Sequence, residues 1–542
     1  MSDQSVAGEA KGFLGWVEKT GNKLPDPVFI FFYLIIALML VSVVASMMGA
    51  NAVLNDQVLG GMAESQKTRF SIGEDGIIPA ISLFSPDNIQ RLWVDMPETF
   101  THFHPLGYVL VVMLGAGVAE RSGLFAAGMR SAVRGAPKAL LTPVVALVAM
   151  VGNHAADAAY VVLIPLAGIL FASAGRHPIA GITAAFAGVS GGFSANLFPG
   201  QLDALLFGIT EAAGEILVPT YDANIAGNWW FIVAILCIYL PIIWYVTDRV
   251  IEPKLGRFVA TGMAANSFNE DDKPLEPDQV KGLKWAGLAC LGTLALWAFM
   301  TWGPGTPLIN ESAADEAVPW YTEYAPFFNS LVAFFLVLFL SAGWAYGAAA
   351  NTINNHKDLV EMMAEAMKDM GYYLVLAFAA AHFVAMFQWS NLGLISAVHG
   401  ADAIENSGLP LPILLGLIVL FSALINLFVG SASAKWALLA PVMIPMLMLL
   451  GISAEGATAV YRVGDSATNI ITPLMVYFPL ILVFAKRWEK DFGLGSLMAM
   501  MIPYSIWMLV SGVLLVVAWV YLGWDLGPGA PMEYTLPAAQ TP

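Results

Sequence analysis

Two hydrophobic segments of this chain are interrupted by the same kinds of residue in the same order, and this pairing constrains the fold more than any other feature. The first runs from GNHAADAAYVVLIP into GVSGGFSANLFP, between Gly152 and Pro199. The second runs from GSASAKWALLAPVMIP into RVGDSATNIITP, between Gly430 and Pro473. Each has glycine and small polar residues, then an apolar run ending in Ile-Pro, then a break rich in Gly, Ser and Asn or Thr. Hydrocarbon cannot hydrogen-bond the backbone groups that such a break frees, so irregular backbone at membrane depth is tolerated only inside protein or beside a cavity. A matched pair of breaks is the pattern of secondary transporters, whose sites form where discontinuous helices of two related repeats meet near the bilayer midplane.

The rest of the chain supplies the membrane setting. Of 542 residues, 58% are hydrophobic and 12% charged, with a mean hydropathy of +0.71, whereas a soluble domain has about 25% charged residues. The first apolar run, Pro27 to Met48, exceeds the roughly 20 residues that cross a hydrocarbon core of about 30 Å. It is too long and starts too far behind a polar N-terminus for a cleavable signal. The net charge of -16 argues against a nucleic-acid partner and does not specify a substrate. Cys237 and Cys290 both lie in apolar runs and read as packing residues rather than a disulfide or a metal pair.

We expect an all-α polytopic membrane protein with nine transmembrane helices, two re-entrant helical hairpins and inverted-topology repeats. The spans fall at 28–49, 103–119, 178–213 (broken), 226–248, 283–302, 326–350, 371–390, 455–482 (broken) and 497–522. The hairpins occupy 138–174 and 411–450, turning near Asn153 and near Ser431 to Ser433; two ordinary spans in each stretch is the competing reading. Lys and Arg cluster in the N-terminus, 121–138, 249–284, 357–368 and 486–490, and are absent from 200–225, 303–325, 391–410 and the tail after 521. With an even number of crossings in each hairpin the two sets fall on opposite sides, placing the N-terminus in the cytoplasm and the C-terminus outside. The chain then divides into a cytoplasmic N-terminus (1–27), scaffold helices (28–137) with an external loop at 50–100, and a first transport unit (138–225). Further scaffold helices (226–410) carry a cytoplasmic linker at 249–282, followed by a second transport unit (411–482) and a last helix with an external tail (483–542). The loop 50–100 is long enough for an external cap or dimer element, and Ser122 to Gly135 reads as an interfacial helix.

Charges within spans are costly, about 2.5–3.5 kcal/mol each on insertion scales, so each one is a candidate functional group. The candidates are Asp157, Asp203, Lys435, Arg462 and Asp465. Asp157 and Lys435 occupy matching places after the tip glycines Gly152 and Gly430, where they could pair with each other or separately hold substrate and cation. Arg462 and Asp465 share a helix face at i,i+3 and could pair; alternatively the arginine holds a carboxylate in bidentate fashion while the aspartate carries a cation or proton. The break residues Ser190, Ser194, Asn196, Ser466, Thr468 and Asn469 suit a hard monovalent cation such as a sodium ion, or merely satisfy the broken backbone. Asn426 and Trp436 flank the second tip, with Ser431 and Ser433 between them, and an indole there could stack on an aromatic substrate. His104 and His382 read as ordinary hydrogen-bonding histidines, and no HExxH, paired CxxC or phosphate loop is present.

The stretches SASAKWALLAPVMIPMLMLLG (431–451), YRVGDSATNIITPLMVYFPL (461–480), AGVSGGFSANL (187–197) and TDRVIEPKLG (247–256) resemble the p-aminobenzoyl-glutamate transporter family, the AbgT type, and the resemblance extends over nearly the whole chain. It implies a homodimer in the bacterial inner membrane with nine spans and two hairpins per subunit. It also implies ion-driven uptake of p-aminobenzoyl-glutamate or export of sulfonamide antimetabolites. Family positions implicated in transport match Asp203, Asn426, Ser433, Trp436, Arg462, Asp465 and Pro473, and GDSATNIITP is more similar to the exporting members. The family motif carries Gly before the tyrosine of the first hairpin, where this chain has Ala159 before Tyr160. The resulting expectation is an ion-coupled secondary transporter, not an enzyme, without a cofactor apart from a coupling sodium ion. Substrate would contact Asn426, Ser433, Trp436, Arg462, Asp465, Pro473 and Asp203, and the ion Asp465, Ser194, Asn196, Thr468 and Asn469. The hairpin tips would be Asn153, Asp157, Ser431 and Lys435. The competing classes are a passive channel for small organic anions and an intramembrane hydrolase using Ser433 with Lys435 as base.

Overall fold

The computed structural model of the chain describes residues 25–54, 59, 67–68, 71–73, 75–155, 159–218, 220–256, 275–303, 305–311, 320–472, 474–475 and 477–535. They are mostly helical. The helices used below are α1 (Pro27–Met47), α2 (Pro86–Val94), α3 (Met96–Thr101), α4 (His104–Arg121), α5 (Leu124–Arg134), α6 (Leu141–Val151), α7 (Ile164–Ser173), α8 (Pro178–Phe186), α9 (Gln201–Gly214) and α10 (Trp229–Tyr245). The second half holds α11 (Pro277–Thr301), α12 (Leu331–Ala349), α13 (His356–Asp369), α14 (Gly371–Trp389), α15 (Leu392–Asn406), α16 (Leu411–Asn426), α17 (Ala432–Leu449), α18 (Ala454–Thr468), α19 (Phe478–Lys486) and α20 (Leu494–Leu522).

Local chemistry sets the helix starts. Asp26 accepts from Val28 N at 2.9 Å ahead of Pro27, Ser431 from Ala434 N at 3.3 Å and Ser453 from Gly456 N at 3.0 Å, each satisfying an amide that the helix itself cannot. Among the described residues, seven helices are long and apolar enough to cross a membrane, and an eighth if α4 and α5, bent by 62°, count as one. The bend leaves α5 with Ala127, Met129 and Val133 buried and Arg130 exposed, the amphipathic character of an interfacial helix. The stretches 138–174 and 411–450 each contain a pair of helices, α6 with α7 and α16 with α17, joined by a polar turn.

Both paired segments have their breaks. α8 passes into wide π turns at Ala187–Gly191, and helix is not resumed until α9; π turns of this kind often mark functional sites. α18 stops at Thr468, and α19 starts at Phe478. A glycine lets each broken helix press against the arm of the neighbouring pair. A Cβ on Gly188 would lie 2.5 Å from Ala149 Cβ of α6, and one on Gly464 would lie 2.2 Å from Val419 O of α16. Ala159, where the family pattern has glycine, is fully buried against the first turn, 3.3 Å from where a Gly152 Cβ would stand.

The structure corrects the sequence reading at 391–410, which left that stretch as a connection. α15 occupies it, burying Leu394, Ile395, Val398 and Ala401 against α14 and α17. Asn391 starts α15 in the left-handed region (φ 58) and donates from Nδ2 to Pro79 O at 2.9 Å. Within the loop 50–100, strands Asn51–Val53 and Ile77–Pro79 pair antiparallel, followed by α2 and α3. Most of the expected linker at 249–282 lies outside the described residues. The motif TDRVIEPKLG anchors the turn between α7 and α8: Arg176 bridges Asp248 and Glu252, each at 2.5 Å, and donates to Thr142 Oγ1 at 2.7 Å. Cys237 and Cys290 are both free thiols.

Candidate functional site

The second break is organised around Asn426, the last residue of α16 and fully buried. Its Nδ2 lies 2.6 Å from Asp465 O, 2.9 Å from Thr468 Oγ1 and 2.9 Å from Asn469 Oδ1. Its Oδ1 accepts from Lys435 Nζ, which also forms an ion pair with Asp465 Oδ1. Thr468 Oγ1 returns a hydrogen bond to Gly464 O at 2.9 Å. Lys435 and Asp465 are 0% and 2% exposed, a burial that charged groups sustain only when paired and hydrogen-bonded.

The two breaks are bonded to each other. Ser466 Oγ donates to Gly191 O at 3.0 Å and accepts from Ser194 N at 2.9 Å, and Asn469 Nδ2 approaches Ser190 O at 3.5 Å. Asp203, at the third position of α9, accepts from Gly200 N through Oδ2 at 2.8 Å and pairs through Oδ1 with Arg462 Nη1 at 2.8 Å. Arg462 also reaches Asn228 Oδ1 at 3.4 Å. The i,i+3 pairing expected of Arg462 and Asp465 is therefore not formed, since α18 sends one charge to α9 and the other to α17. Nor does Lys435 depend on the first tip for a partner; Asp157 itself, like Pro473, lies outside the described residues.

Trp436 is fully buried. Its ring stacks on Tyr461 at 4.4 Å and 21°, and its Nε1 donates to Thr210 Oγ1 at 3.0 Å. One indole face is thus taken by protein in this conformation, contrary to the expectation of an open stacking surface. Ser431 and Ser433 lie 3.3 Å apart at the second turn, and Asn153 ties the first turn to its break by donating to Met150 O at 3.0 Å and Gly192 O at 3.3 Å.

Between these groups lies a cavity of about 370 Å³. Both turns line it (Asn153, His154; Gly430, Ala432), as do both breaks (Phe193, Asn196; Asn469) and Asp203 at the head of α9. Arg462 is not among the lining residues and reaches the cavity through Asp203. Of the oxygens expected to hold a cation, Ser194 Oγ and Asn196 Oδ1 are buried without partners, whereas those of Thr468 and Asn469 are engaged by Asn426. Sequence reasoning missed His154, Gln201 and Tyr373, which also line the cavity. His154 stands inside the quoted motif GNHAADAAYVVLIP and Gln201 two residues before Asp203, so proximity to the tip and the break was the available signal; Tyr373 offered none.

The architecture has counterparts among known proteins. The "AbgT putative transporter family" matches residues 12–534. The chain belongs to the AbgT family. It is 33% identical over 533 residues to the p-aminobenzoyl-glutamate transport protein of Escherichia coli (strain K12), covering 98% of each chain. Two solved AbgT-like structures superpose along nearly its full length. The YdaH transporter of Alcanivorax borkumensis, reported to have an unusual topology, gives a TM-score of 0.83 at 39% identity, covering 93% of this chain and 100% of that one. MtrF of Neisseria gonorrhoeae, described as illuminating a class of antimetabolite efflux pumps, gives 0.87 at 39% identity, covering 96% of this chain and 100% of that one. This AbgT protein is accordingly a multi-pass membrane transporter of small molecules.

Proposed function

We propose that this AbgT protein is an ion-gradient-coupled secondary transporter that moves aromatic carboxylates resembling p-aminobenzoyl-glutamate and/or exports sulfonamide antimetabolites. The observation that carries the reading is one cavity of about 370 Å³ bounded by both turns and both breaks, with Asp203 of the buried Asp203–Arg462 pair in its wall. A passive channel has no need of such matched closures, whereas alternating access places its substrate where the two repeats meet. In this reading the chain has nine spans and two re-entrant hairpins in inverted repeats. The units 138–225 and 411–482 move against a scaffold of 28–137, 226–410 and 483–542. The protein is a homodimer of the bacterial inner membrane with its N-terminus inside.

Each charge pair then has a role. A substrate carboxylate entering the cavity competes with Asp203 for the Arg462 guanidinium, and a bidentate contact makes that exchange favourable. Lys435 and Asp465 form the coupling group. The ammonium stands where a sodium ion bound to Asp465 would stand, so loading a cation or moving a proton there breaks the same ion pair and releases Asn426 from its hub. Ser194, Thr468 and Asn469 supply oxygens to that ion, Ser431 and Ser433 gate the second turn, and Trp436 braces α17 on α9.

Flux of labelled p-aminobenzoyl-glutamate into proteoliposomes, with sodium and proton gradients imposed separately, tests this directly. One gradient should drive accumulation above the external concentration, and Asp465→Asn should abolish it. Simple equilibration, indifferent to both gradients and to Asp465→Asn, would establish the passive channel instead.

A further inference from the structure

The polar atoms facing the cavity have a chemical bias that the ion pairs do not explain. His154 Nε2, Asn196 Oδ1, Gln201 Oε1 and Tyr373 OH are buried without a hydrogen-bond partner, and all four residues line this cavity. Asn196 as a whole is 6% exposed. Folded proteins leave few buried polar atoms unpaired, because each costs its desolvation in full; four around one cavity mark a place that a ligand or water must complete.

Three of the four present lone pairs. Gln201 directs Nε2 toward Asn153 O at 3.5 Å, which leaves Oε1 for the cavity. The His154 ring stacks on Phe198 at 5.9 Å and 19°. Its Nδ1 faces Gly200 so closely that a Cβ there would lie 2.1 Å away. With Nδ1 against the Gly200 backbone, the unpartnered Nε2 is the ring nitrogen left to a ligand, and it accepts in the neutral tautomer protonated at Nδ1. Among the described residues the only carboxylate lining the cavity, Asp203, has one oxygen on Arg462 and the other on Gly200 N. Among the described residues, therefore, the cavity asks for N–H donors and offers no free anion to a cation. Its apolar wall combines the rings of Phe193, Tyr373 and the stacked pair Tyr160 and Tyr477, 4.2 Å apart, with aliphatic side chains such as Leu202 and Leu205. A neutral donor on an aromatic ring meets all three conditions.

We propose that this side of the cavity is an aromatic-amine subsite. His154 Nε2, Asn196 Oδ1 and Gln201 Oε1 accept the N–H groups of a neutral arylamine, and Tyr373 OH completes the shell. The assignment moves Asn196 from the cation-binding set to the substrate set. It rests on the substrate reading proposed above and specifies which end of the substrate is recognised: the amine goes to the first turn and break, away from the Lys435–Asp465 pair.

The test is equilibrium binding to the purified full-length protein with two probes, p-aminobenzoyl-glutamate and benzoyl-glutamate, which differ only in the amine. The wild type should prefer the amino compound about tenfold or more, because the compound lacking it leaves buried acceptors unpaired. In Gln201→Leu and Asn196→Leu the preference should fall toward unity while benzoyl-glutamate binds within about twofold of the wild type, a loss expected when one hydrogen bond is removed. The comparison on the wild type deletes the donor from the ligand and so remains decisive if a variant fails to fold. Equal wild-type affinity for the two probes overturns the subsite and leaves the substrate reading standing, as does equal weakening of both in the variants. Binding of neither probe overturns both. If Asn196→Leu removes a sodium dependence of binding and retains the amine preference, Asn196 belongs to a cation site and the assignment is wrong.

Discussion

Lys435 carries an ammonium 0% exposed, held by Asn426 and Asp465. Removing one member of such a pair leaves the other charge buried and alone, at a cost of about 3–5 kcal/mol. Lys435→Met should therefore lower the thermal unfolding midpoint sharply, and Lys435→Met with Asp465→Leu should restore most of it, since apolar replacement of a whole buried pair is often neutral. Gradient-driven flux should be absent from both variants. A single variant as stable as the wild type would show that the pair is not closed in the membrane. Both residues could be picked out from sequence as intramembrane charges. Their pairing could not, because Arg462 is nearer to Asp465 along the helix than Lys435 is, and only the packing of α17 on α18 reverses that preference.

At the scale of elements, the breaks depend on backbone approaches that a single methyl group would obstruct. Gly464→Ala places a Cβ 2.2 Å from Val419 O, where the obstacle is helix backbone that cannot rotate away, so α16 must shift from α18. Overpacking of this kind costs about 1–3 kcal/mol, seen as a lower unfolding midpoint and, because Asn426 ends α16, as reduced flux. Gly495 in α20 has nothing within 4 Å of its would-be Cβ, and Gly495→Ala should stabilise by up to about 1 kcal/mol through helix propensity. Equal effects of the two substitutions would contradict the tight contact. The breaks were visible in sequence as Gly, Ser and Asn inside apolar runs. α15 was not, because its buried face, Leu394, Ile395, Val398 and Ala401, alternates with polar residues and adjoins the turn-like Ser390-Asn391. The helical spacing was present, but the stretch lacked the continuous hydropathy used to locate spans.

For the whole molecule, the distribution of Lys and Arg predicts an orientation that thiol labelling can check. In a background without Cys237 and Cys290, Lys490→Cys should react with a membrane-impermeant thiol reagent only after permeabilisation, and Trp524→Cys in intact cells. Both positions are exposed. Labelling of Lys490→Cys in intact cells would invert the topology. An even number of crossings in each of 138–174 and 411–450 is what keeps the two ends of α20 on the expected sides, so the experiment also bears on the paired helices.

Sequence alone determined the class of molecule and where its helices must fail. Hydrocarbon leaves a backbone no partner but itself, so apolar length dictates helices and every Gly, Ser and Asn interruption has to be buried or line a cavity. Those are local constraints, legible residue by residue. Only the tertiary structure decided which charges meet, that Trp436 spends one face on Tyr461, and that His154, Gln201 and Tyr373 converge on the same cavity as Asp203. Such pairings depend on which faces of helices distant in the chain come into contact. That is settled by packing complementarity between elements, which no periodicity within a single element encodes.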